Sequence, residues 1–528
     1  MPGALRPLRR EGDPLSPRLL RSTALVGFLT TFSRVFGYIR DVFIATLGGA
    51  GAGTDAFFVA FRIPNLLRRL FAEGAFSQAF VPVISEYRTR RSPQEVRELV
   101  SSVSGTLGLA VLIASAVGVL AAPILILVFA PGFLEQPEKF DLAAGMLRVT
   151  FPYLFFVSLT ALAGGILNAY DRFAVPAVTP IFLNLAMIAA AVWLAPRMEQ
   201  PVVALAWGVF AGGAVQLLFQ LPFLWRRGML VRPRLGLRHE GVRRVLRLML
   251  PAIFGVSVGQ ISLLLDTLLA SFLQTGSVSW LYYSDRLMEF PLGVFGIALG
   301  TVILPSLARR HAEGATEHFS ATVDWALRWV LLLGLPASVS LALLSAPLLS
   351  TLFQHGEFSA SDVYMAQLSL VAFSLGLVAF MAVKVLAPAF YARQDTRTPV
   401  RVAVVALVAN MAMNLMLIFP LAHAGLALAT SLAGFINAGF LYRILLRQGV
   451  YRPSPGWGWF SVRLALANLV LGLLLAYGPP LIAVWTHATS RWRLLELAVW
   501  VGAGMAAYLG ALLLLGFRKR DLLPAART

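Results

Sequence analysis

The feature that most constrains this chain is the recurrence of apolar stretches as long as a bilayer is thick, among them residues 103–129, 202–224, 329–353 and 497–517. A transmembrane helix needs about 20 such residues, and inside hydrocarbon a helix satisfies every backbone group within itself. The patterning places about 14 spans, centred near residues 34, 68, 115, 157, 183, 213, 260, 294, 338, 376, 409, 433, 470 and 505. Composition agrees. With 58% hydrophobic and 13% charged residues and a mean hydropathy of +0.77, the chain is too apolar for a soluble domain. The loops are short and leave no room for a soluble catalytic domain. The expected fold is all-α and integral to the membrane.

The net charge of +19 is spread over alternate loops rather than over one soluble face, which argues against nucleic acid as a partner. Basic residues gather in the N-terminal tail (Arg6, Arg9, Arg10, Arg18, Arg21) and in segments 88–97, 226–247, 309–310, 393–401, 443–452 and 518–527, whereas the intervening 131–145 carries Glu135, Glu138 and Asp141. This asymmetry puts both termini in the cytoplasm and requires an even number of spans. The first apolar stretch contains Arg34, Arg40 and Asp41, so it reads as a retained span and not as a cleaved signal. The absence of cysteine excludes disulfides, thiolate metal sites and cysteine nucleophiles.

Self-comparison shows a weak repeat. Arg62 and Pro82 match Arg286 and Pro305, Asn168–Arg172 matches Ala389–Arg393, and Ala204-Leu205-Ala206 matches Ala427-Leu428-Ala429, all at offsets of about 221 to 224 residues. Halves that both begin in the cytoplasm and hold an even number of spans form a parallel repeat. The expected organisation is a cytoplasmic tail at 1–21, a six-helix lobe at 22–225, a basic cytoplasmic linker at 226–246, and a second six-helix lobe at 247–450. Two additional helices follow at 451–517, then a cytoplasmic tail at 518–528.

Polar load within the spans marks the candidate site. The first span holds Arg34, Arg40 and Asp41; the second region holds Asp55, Arg62, Asn65, Arg68, Arg69 and Glu73; the eighth holds Asp285, Arg286 and Glu289. One arginine at a span centre costs about 2.5 to 3.5 kcal/mol on insertion scales, so several are expected to face an aqueous cavity, an anion or one another. Arg34 and Asp41 share a helix face, as do Arg62, Asn65 and Arg69, while Arg286 and Glu289 stand three apart. Two readings stay open for the arginines: internal ion pairs or snorkelling, and phosphate recognition through the guanidinium fork. Pro64, and Pro291 with Gly293, Gly296 and Gly300, are expected to disturb their helices. Asp266, alone in an apolar run, either binds a coupling cation or pairs with a neighbour. His423 and His487 fall at loop ends and read as solvated, and Trp193, Trp225, Trp457 and Trp485 read as interfacial anchors.

Other chemistry is not visible. There is no phosphate-binding G-x-x-x-x-G-K-[ST] loop and no H-E-x-x-H, and Gly255-Val256-Ser257-Val258-Gly259 matches G-x-S-x-G only within an apolar span and not at a strand-to-helix turn, so neither an ATPase nor a metal or serine hydrolase is indicated, and no cofactor is expected. Rival readings are a drug or O-antigen exporter, a membrane glycosyltransferase or assembly protein, and a passive channel. Composition and charge alone reach a carrier of an amphipathic anion.

Three strings narrow this further: Ser33-Arg34-Val35-Phe36-Gly37-Tyr38-Ile39-Arg40-Asp41, the run from Thr54-Asp55-Ala56-Phe57-Phe58 to Arg62-Ile63-Pro64-Asn65-Leu66-Leu67-Arg68-Arg69, and Phe71-Ala72-Glu73-Gly74-Ala75-Phe76. Together with Trp280-Leu281-Tyr282-Tyr283-Ser284-Asp285-Arg286-Leu287-Met288-Glu289-Phe290-Pro291 and Lys384-Val385-Leu386-Ala387-Pro388, they closely resemble the MurJ (MviN) lipid II flippases, over essentially the whole chain. The resemblance implies the fold of the multidrug/oligosaccharidyl-lipid/polysaccharide exporter superfamily, with two six-helix lobes in a V and two further helices that form a groove for the lipid tail. It implies a substrate site at Ser33, Arg34, Arg40, Asn65, Arg68 and Arg286, and gating or ion-pairing positions at Asp41, Asp55, Arg62, Arg69, Glu73, Asp285 and Glu289. Arg62 keeps the charge of the lysine found there in relatives but presents a fork. A transporter and not an enzyme is expected, working as a monomer among the lipids of the bacterial cytoplasmic membrane and moving lipid II outward for cell-wall synthesis. Another polyprenyl-diphosphate-linked glycan or a drug-type substrate is the alternative. Sodium at Asp266, protons and membrane potential are the drives left open, because the resemblance does not identify partners for Asp266 in the eleventh span.

Overall fold

The computed structural model describes residues 17–69, 75–313, 316–518 and 521–522, and every regular element among them is helical. The first half of the chain supplies α1 (Pro17–Gly48), α2 (Ala52–Leu67), α3 (Ser77–Arg90), α4 (Pro93–Leu120), α5 (Ala122–Phe129), α6 (Pro137–Thr150), α7 (Tyr153–Ala169), α8 (Ala174–Ala189) and α9 (Val203–Arg226). The second half supplies α10 (Glu240–Ser271), α11 (Ser277–Pro291), α12 (Ile297–Ala312), α13 (Thr316–Leu343), α14 (Ser345–Phe353), α15 (Ala360–Tyr391) and α16 (Arg397–Arg447). After these come α17 (Trp457–Tyr477), α18 (Ile482–His487) and α19 (Ser490–Leu514).

Nine of the described helices are long and apolar enough to cross a membrane. The expected spans near residues 34, 260 and 294 fall in helical segments too, and the one near 68 begins in α2 and extends into residues outside the described ones. The spans expected near 409 and 433 lie in α16, which is broken at Ala422 (φ 48°, ψ −129°), two residues after Pro420. These helices are consistent with the expected number of spans. Leu112, Ile113, Val117 and Leu120 on α4, Phe419 on α16 and Leu514 on α19 are exposed. Such an apolar exterior fits lipid and not water. The protein is a multi-pass membrane protein.

Local sequence explains where helices start. Ser92 accepts from the backbone N–H of Glu95 while Glu95 reaches back to Ser92, with Pro93 in the first turn of α4; Ser359 and Asp362 build the same reciprocal cap on α15. The repeat leaves a backbone signature as well. Asp171 and Gln394, 223 residues apart, both adopt φ 60° at the end of a helix, and the amides of Arg172 and Asp395 close the same turn onto Leu167 and Phe390.

A second pair of equivalent elements was hidden inside the apolar stretches: α5 with Pro123 and Phe129, and α14 with Pro347 and Phe353. Each leads into a glycine under another backbone. A Cβ on Gly132 would lie 2.3 Å from the Ser271 carbonyl oxygen, and one on Gly356 would lie 2.3 Å from that of Thr46. Only glycine permits these approaches.

The chain forms two compact units. One comprises Met1–Arg40, Ile63–Ala121 and Leu147–Phe254; the other comprises Asp41–Arg62, Ala122–Met146 and Gly255–Thr528. In the first, Phe80 and Ile84 of α3, Leu99 and Val100 of α4, and Leu162 and Ile166 of α7 share one core. The second includes α17 and α19, whose Leu464, Leu471, Leu475, Tyr508 and Leu512 pack with Leu332 and Leu344. The Tyr508 hydroxyl donates to the Leu332 carbonyl at 2.8 Å. The start of α17 is held by a buried carboxylate: Asp324 accepts from Arg328 Nε (3.0 Å), Tyr451 Oη (2.9 Å), the Ser454 amide (3.1 Å) and Trp457 Nε1 (2.7 Å). Arg328 also donates to the carbonyls of Asp521 and Pro455.

Two expectations are corrected here. His423 is not solvated: it is buried, with Nε2 2.9 Å from the Met365 carbonyl and its ring against Trp280. Trp193 and Trp225 are exposed as interfacial anchors should be, but Trp485 is fully buried, donating to the Pro480 carbonyl, and Trp457 is tied to Asp324. His487 is exposed, as expected.

Candidate functional site

In the first unit, α1 carries Ser33, Arg34 and Arg40. Arg40 is buried, and its guanidinium donates to Asn184 Oδ1 at 3.0 Å; the Asn184 amide in turn donates to the Ser33 carbonyl at 3.1 Å. Asn184 thereby joins Arg40 to the Ser33 backbone on the same helix. Arg34 is half-buried and makes no hydrogen bond or ion pair among the described residues. On α2 and the π-turn that follows it, Arg68 Nε donates to Asn65 Oδ1 at 2.9 Å, and Arg69 is half-buried with no such contact among the described residues. Glu73 lies outside the described residues.

In the second unit the carboxylates find cations. Asp41 is fully buried and accepts from Arg286 Nε at 2.7 Å and from the Tyr282 hydroxyl at 3.0 Å. Arg286 bridges onward to Glu289 at 3.1 Å. The expected pair at three-residue spacing is thus real, and Asp41 joins it from 245 residues away. Asp285 is half-buried beside them on α11. Pro291 is followed by a π-helix, Leu292–Gly296, so the disturbance read from Pro291 and the glycines takes that form.

Asp55, buried on α2, caps the start of α11. It accepts from the amides of Gly276 (2.8 Å) and Ser279 (3.0 Å), from Ser279 Oγ (2.6 Å) and from the buried Lys139 Nζ (2.9 Å). A carboxylate at a helix N-terminus completes the orphan N–H groups and meets the positive end of the dipole. Arg62, near the end of the same helix, donates to Thr267 Oγ1.

Asp266 has the partners that the sequence did not reveal. Its Oδ1 accepts from Asn414 Nδ2 at 2.7 Å; Asn410 Oδ1 faces Asn414 Nδ2 at 3.3 Å and Ser262 Oγ at 3.3 Å, and Asn410 Nδ2 faces Thr430 Oγ1 at 3.4 Å. Asn414 Oδ1 is buried without a hydrogen-bond partner. A buried amide oxygen without a donor calls for an explanation, an ion among them, and carboxylate, amide and hydroxyl oxygens are the ligands a hard cation takes. Asn184, Asn410 and Asn414 could have been found by the rule that singled out Asp266, because each is a polar amide within a predominantly apolar stretch of helix. Lys139 carried no such signal.

An all-helical, multi-pass membrane protein with arginines and paired carboxylates inside its spans is a transporter of charged or amphipathic solutes. Its fold is shared with a multidrug resistance MATE family transporter of the MOP superfamily in an inward-facing conformation, at TM-score 0.65 and 15% identity over 81% of this chain and 98% of that one. The family model for lipid II flippase MurJ matches residues 44–495, and the chain belongs to that family. It is 50% identical to the probable lipid II flippase MurJ of Vibrio cholerae, covering 96% of this chain and 98% of the relative. It is 43% identical to the lipid II flippase MurJ of Burkholderia cenocepacia, covering 95% and 98%. A solved structure of lipid II flippase MurJ in an inward closed conformation superposes at TM-score 0.79 with 26% identity, over 94% of this chain and 99% of that one.

Proposed function

We propose that this chain moves lipid II from the cytoplasmic to the periplasmic leaflet of the inner membrane by alternating access, with Arg34, Arg40, Arg68 and Arg286 receiving the diphosphate. Family membership supports the substrate. The observation that carries the arginine reading is Arg34: a half-buried guanidinium in a span, without a partner among the described residues, has its donors available to an anion. Ser33 and Asn65 orient Arg40 and Arg68 through the contacts above and help to line the site. Asp41, Asp55, Arg62, Arg69, Glu73, Asp285 and Glu289 serve gating. Arg286 is held by Asp41 and Glu289 when no phosphate competes, so exchange between carboxylate and phosphate resets the empty carrier. The six-helix lobes at 22–225 and 247–450 rock about the substrate, α17 and α19 guide the polyprenyl tail, both termini face the cytoplasm and the chain acts as a monomer.

Coupling is assigned to a cation at Asp266, with Asn410, Asn414, Ser262 and Thr430 as further oxygen donors; sodium or a proton there would supply a positive charge drawn inward by the membrane potential. One charge crossing 100 mV gains about 2.3 kcal/mol. The orphaned Asn414 Oδ1 supports this placement.

The test is lipid II translocation in cells depleted of their own flippase, at matched membrane expression. Losing a hydrogen bond to a charged group costs about 1.5 to 3 kcal/mol, so Arg34→Ala should lower translocation about tenfold or more and Arg34→Lys should restore part of it. Arg286→Ala should be more severe, since it also strips Asp41 of its cation. Full activity of Arg34→Ala would defeat the arginine reading, and failure of the parent chain would defeat the substrate.

A further inference from the structure

A groove on the first unit, lined by none of the residues assigned to the substrate or coupling sites, has the polarity of a lipid. It arises where α8 and α9 approach at backbone distance: a Cβ on Gly208 would lie 2.9 Å from Met187 Cα, and one on Gly212 would lie 3.0 Å from Leu183 Cα. Just beyond this crossing α8 passes into a π-helix, Ala190–Leu194, and then a 3-10 turn, Ala195–Arg197. Single π-turns inside helices are frequent at functional sites because they rotate the following side chains out of register. Here the π-turn itself carries Trp193, 67% exposed; Trp207 on α9, 45% exposed, lines the same groove. The space has a volume of about 640 Å³, with Ala186, Ala189, Ala190, Gly208 and Ala211 among its small lining residues and Arg197 as its one charged residue. Pockets that hold small ligands run from about 300 to 1,000 Å³.

Arg197 is exposed, and one of its N–H groups donates to the Trp193 carbonyl. Its other donors have no hydrogen-bond partner among the described residues. Tryptophans favour the depth of the headgroups, so a guanidinium beside them stands at the depth of lipid phosphates.

We propose that this groove is a binding site for one anionic glycerophospholipid, its acyl chain against the alanine and glycine surface between Trp193 and Trp207, and its phosphodiester on Arg197. A guanidinium takes phosphate oxygens bidentately and keeps its charge at any working pH. A partner's transmembrane helix fits less well: at about 10 Å across it would fill the space within a turn or two and leave Arg197 without an anion. The site is separate from the arginines assigned to lipid II and does not rest on that assignment.

Native mass spectrometry of the purified full chain, titrated with phosphatidylglycerol or phosphatidylcholine, tests this, with fluorescence quenching by bromine-labelled phosphatidylglycerol as the second readout. Arg197→Gln removes the cation at an exposed position. Ala211→Phe fills the groove from a residue that is itself exposed. The parent should retain phosphatidylglycerol about tenfold more tightly than phosphatidylcholine, each variant should lose that preference or that binding, and Trp193→Phe with Trp207→Phe should remove most of the quenching. Equal retention of the two lipids, or retention unchanged by either variant, would overturn the proposal. So would lipid II displacing phosphatidylglycerol one for one from the parent, which would make the groove part of the substrate path, or a protein occupying it in place of lipid.

Discussion

Asp55 and Asp324 are both fully buried carboxylates with four hydrogen-bond donors each, one of them a buried cation. By local chemistry they are near equals, yet they join different things. Asp324 ties α13 to residues 451–457, and through Arg328 to Asp521, all within the second half of the sequence. Asp55 ties α2, with Lys139 of α6, to the start of α11, across 221 and 224 residues from one repeat to the other. If the repeats move against each other during transport, the Asp55 cluster has to open in every cycle and the Asp324 cluster never does. Equal local geometry can therefore serve opposite ends, a latch in one place and a rivet in the other.

The largest effect is expected at the latch. Removing one partner of a buried ion pair costs about 3 to 5 kcal/mol, because the other is left charged and uncompensated. Asp55→Ala should therefore abolish translocation while the protein still inserts. Because the chain has no native cysteine, a single Ser277→Cys at a fully buried position reports on closure. Its alkylation should be slow in an otherwise unchanged chain and fast when combined with Asp55→Ala. Slow alkylation in both would mean that Asp55 does not hold this end shut.

At the rivet the same chemistry should appear as lost stability. Asp324→Asn removes the charge facing Arg328 and should lower the melting temperature by several degrees. Translocation per folded molecule should stay within about twofold, since a fixed joint costs the folded state and not the cycle. A variant that melts like the parent but fails to transport would erase the distinction between the two clusters.

Much of this was legible beforehand. Helices were fixed by length and hydropathy, and the polar load of the first, second and eighth spans pointed to the residues that build the ion pairs. Arg286 with Glu289 could be read from spacing alone, because both stand on one helix. Arg286 with Asp41 could not, since helical periodicity places residues on faces but does not say which faces meet. Lys139 stands among Glu135, Glu138 and Asp141 in sequence, and nothing in that neighbourhood marks it as buried against Asp55. The short helices α5 and α14 merged with their neighbours because hydropathy does not register a break between two apolar helices. Trp457 and Trp485 misled for a related reason: nearness to a span end is visible in sequence, whereas the carboxylate or carbonyl waiting for an indole N–H is not.

The smallest expected effect concerns a joint that exists in one repeat only. The left-handed turns at Asp171 and Gln394 are equivalent, but the next residue is Arg172 in the first repeat and Asp395 in the second. Asp395 accepts from the Thr398 amide at 3.0 Å and its hydroxyl at 2.6 Å, capping the start of α16. These bonds, the Thr398 hydroxyl foremost, hold its carboxyl below the usual carboxylate range. Asp395→Ala should cost about 1 kcal/mol, as lost caps do. A carboxyl whose pKa is lowered by folding stabilises above its unfolded pKa, near 3.9, and this contribution is lost as pH falls through the folded value. The difference in melting temperature between parent and variant should accordingly be constant from about pH 7 to pH 5 and shrink below about pH 4. If Arg172→Ala in the first repeat produced the same pH-dependent loss, the two turns would be equivalent in energy as well as in backbone, and the asymmetry drawn from Asp395 would fail.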